Sequence, residues 1–393
     1  MENEKKNSNN NTEIKEEERT SLPAPIESKK KRIGKNIFRF VSFFACFSAS
    51  LGFVAHYFFF SLEEGTPYGL FYKEKEKSLD VVMIGSSTIR HGFIPMEMYE
   101  ETGLTSYSIV ASPNHLETIE IQIKEVMRKQ NPKVVYIDLN GINNQTKKEA
   151  PSFVKQYYEA MPEGEAKREL KQKYPYLKEQ KYELFPGHNS FRQQSYWETL
   201  VYGVKTFDKG YSPMKTTKPV KVTKVDKDKT LPIPEDGLNY LKEILSICKE
   251  YPTVNFLFGE MPRYLDDTIS SFDLYQVLSP LDAYYVVKSA KPYVEEAGFT
   301  FLDYFSDEKI LPDYIGLDPE KDQYDAEHLN HRGAKKFTKF FSSYLLNTYF
   351  GGKAPEHSKD ITSSFEECLE KYHEEDKKIE EKMNGKGEDE KDG

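Results

Sequence analysis

Cysteine is scarce in this chain: among 393 residues only Cys46, Cys248 and Cys368 carry a thiol. At most one bridge could form, so neither a disulfide scaffold nor a redox compartment can be read from them. There is no CxxC and no Cys/His cluster, which argues against a zinc site. Positive charge is also in deficit. Lys and Arg total 55 against 64 Asp and Glu, a net charge of -9, and this argues against a nucleic-acid binder, which needs a basic stripe. Tryptophan occurs once, so the 14% aromatic content is almost all Tyr and Phe, enough for a well-packed core in a chain long enough to bury one.

Charge is missing altogether from residues 40–62, which are rich in Phe, Val, Ala and Leu. Lys29, Lys30, Lys31, Arg32, Lys35 and Arg39 precede this stretch, and Glu63 and Glu64 follow it. About 20 apolar residues span a bilayer as a helix. Residues 37–62 are therefore expected to form one transmembrane anchor, with the N-terminus cytoplasmic and the rest of the chain outside. The run continues through Phe58-Phe59-Phe60 without a small-residue cleavage site, which favours an uncleaved anchor over a signal peptide. Residues 1–36 read as a disordered polar tail, 63–78 as a linker and 353–393 as a charged C-terminal tail in which residues 366–383 are expected to form a solvated helix.

Between linker and tail, strand-like and helix-like patterns alternate. Residues 79–84, 105–110, 133–139, 253–258 and 300–304 are short apolar runs. Leu116, Ile119, Ile123 and Val126 recur at helical spacing, as do Leu241, Ile244, Leu245 and Cys248. Residues 283–297 read as one further helix, and Phe337, Phe340, Phe341, Tyr344 and Leu345 mark the last core helix. Residues 150–234, rich in Lys, Tyr, Gln and Pro, break this rhythm and read as an inserted helical cap walling the site, with 215–229 a loose linker. The expected fold is α/β: a three-layer sandwich with a central parallel sheet over residues 79–352.

In such sheets chemistry sits beyond the carboxyl ends of the strands. Gly85-Ser86-Ser87 ends the first strand, and Asp325-Ala326-Glu327-His328 precedes the last core helix. A serine hydroxyl needs a base to take its proton, and the base needs an orienter. Ser87, His328 and Asp325 supply those three groups. No G-x-S-x-G elbow surrounds Ser87, which speaks against an ordinary α/β-hydrolase. Arg90 and His91 follow the nucleophile and could meet an anionic substrate, and Arg263 lies at another strand end. His331 would suit a metal pair only with carboxylates nearby; a polar residue at a helix start accounts for it, and no metal or other cofactor is expected.

These blocks resemble the SGNH (GDSL-type) hydrolase superfamily, with a serine block after the first strand and a terminal Asp-x-x-His block. The resemblance covers residue 79 to about residue 350, interrupted by the insertion. It implies Ser87 as nucleophile, with Ser86 standing where the family has Asp, His328 as base and Asp325 as orienter. The third block corresponds to Asp138-Leu139-Asn140-Gly141, making Asn140 the side-chain oxyanion donor. The glycine of the second block has no counterpart, so Ala111 or Ser112 is left to lend a backbone N–H. Gly-Ser-Ser behind an N-terminal anchor is similar to the membrane-tethered extracellular branch. That branch acts in teichoic-acid D-alanylation and beside membrane-bound O-acyltransferases. The resemblance thus implies an extracytoplasmic serine esterase or O-acyltransferase on cell-envelope glycan or teichoic acid, with a membrane O-acyltransferase as partner. The competing reading is a non-catalytic binding partner on the same scaffold.

Overall fold

The computed structural model describes residues 26–58, 67–110, 116–143, 150–178, 207–268 and 278–385. It divides into two units, residues 1–58 and 59–393. The first contains helix α1 (Ile26–Phe58). Among the described residues no helix is long and apolar enough to cross a membrane. This overturns the expected anchor, and with it the single-pass membrane location. α1 carries Lys29, Lys30, Lys31, Arg32, Lys35 and Arg39 in its first half, which leaves its uncharged stretch to start at Phe40. Ser42, Ser48 and Ser50 dilute it further.

The second unit is built on a parallel sheet in the order β2-β1-β3-β4-β5. Its strands are β1 (Val81–Gly85), β2 (Ser106–Val110), β3 (Val134–Asp138), β4 (Asn255–Gly259) and β5 (Thr300–Leu302). Side chains alternate between two apolar cores, as a period of two requires. Val82, Ile84, Val135, Ile137, Phe256 and Phe258 enter one core. Val81, Met83, Val134, Tyr136 and Leu257 enter the other. Both faces are buried, which is why these strands read as continuous apolar runs.

The early helices are α2 (Pro67–Phe71), α3 (Ser87–Gly92), α4 (Pro95–Thr102) and α5 (Ile119–Lys129). Pro95 opens α4, and Gly103 closes it at φ 75°, a left-handed cap that glycine adopts without steric cost. Then come α6 (Ala150–Ala160), α7 (Glu165–Lys173) and α8 (Glu235–Lys249). The helix expected over residues 283–297 is two, α9 (Pro280–Lys288) and α10 (Lys291–Glu296). Pro292 in the first turn of α10 has no N–H to continue the earlier helix. Last are α11 (His331–Tyr349) and α12 (Lys359–Met383).

Two segments differ from the sequence pattern. The described start of the insertion, α6 and α7, packs on α2 and α5. Lys124 pairs with Glu169 at 2.5 Å, and Lys173 pairs with Glu120 at 2.7 Å and Glu243 at 2.9 Å. The middle of the expected cap, residues 179–206, lies outside the described residues. After Gly352 the charged residues form the outer face of α12, whose Phe365, Cys368, Tyr372 and Ile379 are buried. Tyr372 donates to Glu97 of α4 at 2.7 Å, fastening that helix to the sheet domain.

Candidate active site

The strand order reverses direction between β1 and β3, and a crevice opens at such a switch point beyond the strand ends. Gly85, the last residue of β1, admits no side chain. A Cβ there would sit 2.6 Å from the Asp138 Cβ, so glycine is what lets the two strands end side by side. Asp138 uses that proximity. Its carboxylate accepts from Thr88 Oγ1 at 2.6 Å, Ser86 Oγ at 3.2 Å and the Asn140 backbone N–H at 3.0 Å. Burial raises its pKa, while Thr88, Asn140 and Ser86 pull it down. Ser86 also N-caps α3, accepting from the Thr88 N–H. It is therefore a scaffold residue, and Ser87 is left at the first position of the helix.

Ser87 meets the C-terminal block there. Its Oγ lies 2.8 Å from His328 Nε2. On the far side of the ring, Nδ1 lies 2.9 and 3.1 Å from the two oxygens of Asp325. A carboxylate only accepts, so Nδ1 carries the proton and Nε2 accepts from the Ser87 hydroxyl. Asp325 also accepts from the backbone N–H groups of Glu327 and His328, both at 2.8 Å. Burial pushes the Asp325 carboxyl up, but the His328 ring and those N–H groups outweigh it and hold the group below the usual aspartate range.

The loop carrying this pair is built for it. Asn330 caps α11 by accepting from the Gly333 N–H at 3.1 Å and donates back to Lys321 O at 2.7 Å. A Cβ at Gly333 would meet the Asp322 carbonyl at 2.2 Å, so only glycine lets the helix start press on the loop.

Of the expected oxyanion donors, Asn140 follows β3 as the first residue of a short 3₁₀ turn (Asn140–Asn143). Ala111 and Ser112 lie outside the described residues. Arg263 is buried at 2% exposure, and its guanidinium is committed to Glu260 at 2.6 Å, so it is not placed to receive substrate. Burial pushes the Glu260 carboxyl up to about 7 against the pull of Arg263. Arg90 and His91 are on α3 with Ser87.

Sequence reasoning gave His91 no firm role, yet its ring stacks edge-to-face on His328 with centroids 5.4 Å apart. His91 Nδ1 donates to the Ser212 carbonyl at 2.6 Å. Burial lowers its pKa to about 4, so it stays neutral, with the lone pair on Nε2. Ser212 belongs to an extended strap that also donates its N–H to Arg90 O and receives the His331 N–H at Met214 O. The strap thus ties α3 to the start of α11, next to the loop that carries His328. Its only sequence signal was Pro and Lys content, which reads as linker.

His331 does have carboxylates nearby: Asp376 and Glu380 cluster with it within 4.8 Å. Those groups are already engaged. Lys335 lies 2.9 Å from Asp376, Arg332 lies 3.2 Å from Glu380, and both His331 ring nitrogens have partners. No metal is assigned there.

No family model matches this chain, and no curated protein does. Among solved structures it is similar to a Clostridium thermocellum family 3 carbohydrate esterase. The identity is 12%, over 70% of this chain and 100% of that one, with a TM-score of 0.31. Likeness at that level carries no functional argument, so the chemistry rests on the residues themselves.

Proposed function

We propose that this protein is a serine esterase working through an acyl-Ser87 intermediate. What supports the reading is the unbroken relay from Ser87 Oγ through His328 to Asp325 at the switch point of the sheet. In the first step Ser87 Oγ bonds to the ester carbonyl carbon. Its proton moves to His328 Nε2, and the C–O bond to the alcohol breaks as His328 returns that proton to the leaving oxygen. The Ser87 N–H, at the start of a helix, and the Asn140 amide are the groups proposed to receive the oxyanion. Each such donor is worth about 3 kcal/mol in the transition state. In the second step water or a substrate hydroxyl, deprotonated by His328, attacks the acyl carbon and Ser87 leaves. The motif resemblance supports an acylated glycan or polyol, including cell-envelope polymers, as the substrate class.

Pre-steady-state hydrolysis of 4-nitrophenyl acetate tests the covalent intermediate. A burst of nitrophenolate stoichiometric with enzyme, with acetyl-Ser87 seen after acid quench by intact mass, is expected. Turnover that never acylates the protein would overturn the reading.

A further inference from the structure

One cation on the helix of Ser87 has no side-chain partner among the described residues. Arg90 lies one turn after Ser87 on α3, at the spacing that puts two side chains on one helix face. Its charge is felt by His91, whose ring touches that of His328. The guanidiniums of Arg128, Arg168, Arg263 and Arg332 all donate hydrogen bonds to protein acceptors. That of Arg90 does not. Its Nε is enclosed with no hydrogen-bond partner, and no carboxylate lies within ion-pair distance among the described residues.

The surroundings offer little relief. Burial weakens the charged form, and the carboxylate whose field reaches Arg90 is Asp208. His91 is neutral and presents a lone pair, so it neither competes as a cation nor neutralises Arg90. A half-buried, unpaired guanidinium is costly. Such a breach of local pairing is characteristic of a functional site. A guanidinium is also suited to planar or tetrahedral oxyanions, which it grips with two parallel N–H donors.

We propose that Arg90 is a specificity-determining residue that receives an anionic group, phosphate or carboxylate, carried by the ester substrate close to the bond cleaved at Ser87. The proposal rests on the esterase reading and names its substrate class: acyl esters of anionic polyols or sugars. The unpaired donors would hold that anion while Ser87 attacks the neighbouring ester.

The full chain is assayed on monoacetylglycerol, acetylglycerol phosphate and an acetylated glucuronic acid. The phosphate or the carboxylate ester should exceed the neutral one in kcat/KM by about tenfold or more, as a charge-assisted bond allows. Whichever arm shows the larger preference identifies the anion. Arg90→Gln should erase most of that preference, mainly through KM, and Arg90→Lys should restore part of it. Binding of inorganic phosphate and of glucuronate is measured separately in the Ser87→Ala chain, with and without Arg90→Gln. Arg90-dependent anion binding without any ester turnover would keep the anion site and discard the esterase reading. Turnover with no anionic preference, or with a preference that Arg90→Gln leaves intact, would overturn the anion site alone.

Discussion

Among the described residues, two hydroxyl–imidazole–carboxylate chains are built on histidines three residues apart, His328 and His331. In one, Ser87 lies 2.8 Å from His328, which lies 2.9 Å from Asp325. In the other, Tyr211 lies 2.7 Å from His331, which lies 2.6 Å from Asp376. The bond lengths are alike, but the settings differ. His331 is 0% exposed, the burial of Tyr211 holds its hydroxyl protonated, and Lys335 shares Asp376. That chain clamps α12 to α11. The Ser87 chain stands at the strand ends, on α3, with an aliphatic hydroxyl and, among the described residues, no Lys or Arg on its carboxylate. Connectivity alone does not make a relay catalytic. Position, access and the identity of the hydroxyl separate a reactive chain from a structural one.

The comparison is sharpest in mutants. His328→Ala should lower kcat for an aryl ester by about 10⁶-fold, the scale of losing the base of a serine relay, with the fold intact by circular dichroism. A smaller loss than that of His331→Ala would reverse the roles of the two chains. Next in size is Glu260→Ala, which strands the buried Arg263 charge. It should cost about 3–5 kcal/mol in urea unfolding. Asp376→Ala should cost about 1–3 kcal/mol by leaving the buried His331 N–H unsatisfied, while the rate per folded molecule persists. If it removes activity and leaves stability alone, the clamp assignment fails.

The imidazole stacked on His328 adds a pH dependence. His91 titrates near 4 when folded and near 6.5 when unfolded, so its folded pKa is depressed. Between these values the unfolded chain binds the extra proton, and stability falls as pH drops from about 6.5 to about 4. His91→Phe should flatten the melting temperature over that window. An unchanged slope would mean that the imidazole is not held neutral by its burial.

The sequence made some of this legible and hid the rest, for identifiable reasons. Gly85-Ser86-Ser87 and Asp325–His328 could be read because turn and cap chemistry is local: a Cβ clash at Gly85, an Asn330 cap and a ring three residues from its carboxylate. The five strands could be read because both faces of the sheet are apolar. The strap around Ser212 could not. It is held by backbone hydrogen bonds to Arg90 and His331, and such bonds leave no side-chain period. The inner face of α12 was masked because buried Phe365, Cys368, Tyr372 and Ile379 are diluted among Glu and Lys. Absence of charge in residues 40–62 suggested a span that no described helix supports, since absence of charge is a weaker condition than sustained apolarity.

The central claim is that Ser87 is the nucleophile and that His328 activates it. Intact-mass analysis after treatment with a fluorophosphonate tests both at once. The account predicts a single adduct located on Ser87. It should be absent in Ser87→Ala, greatly slowed in His328→Ala and still formed in Ser86→Ala. An adduct that persists in Ser87→Ala, or one that forms at the native rate without His328, would contradict it.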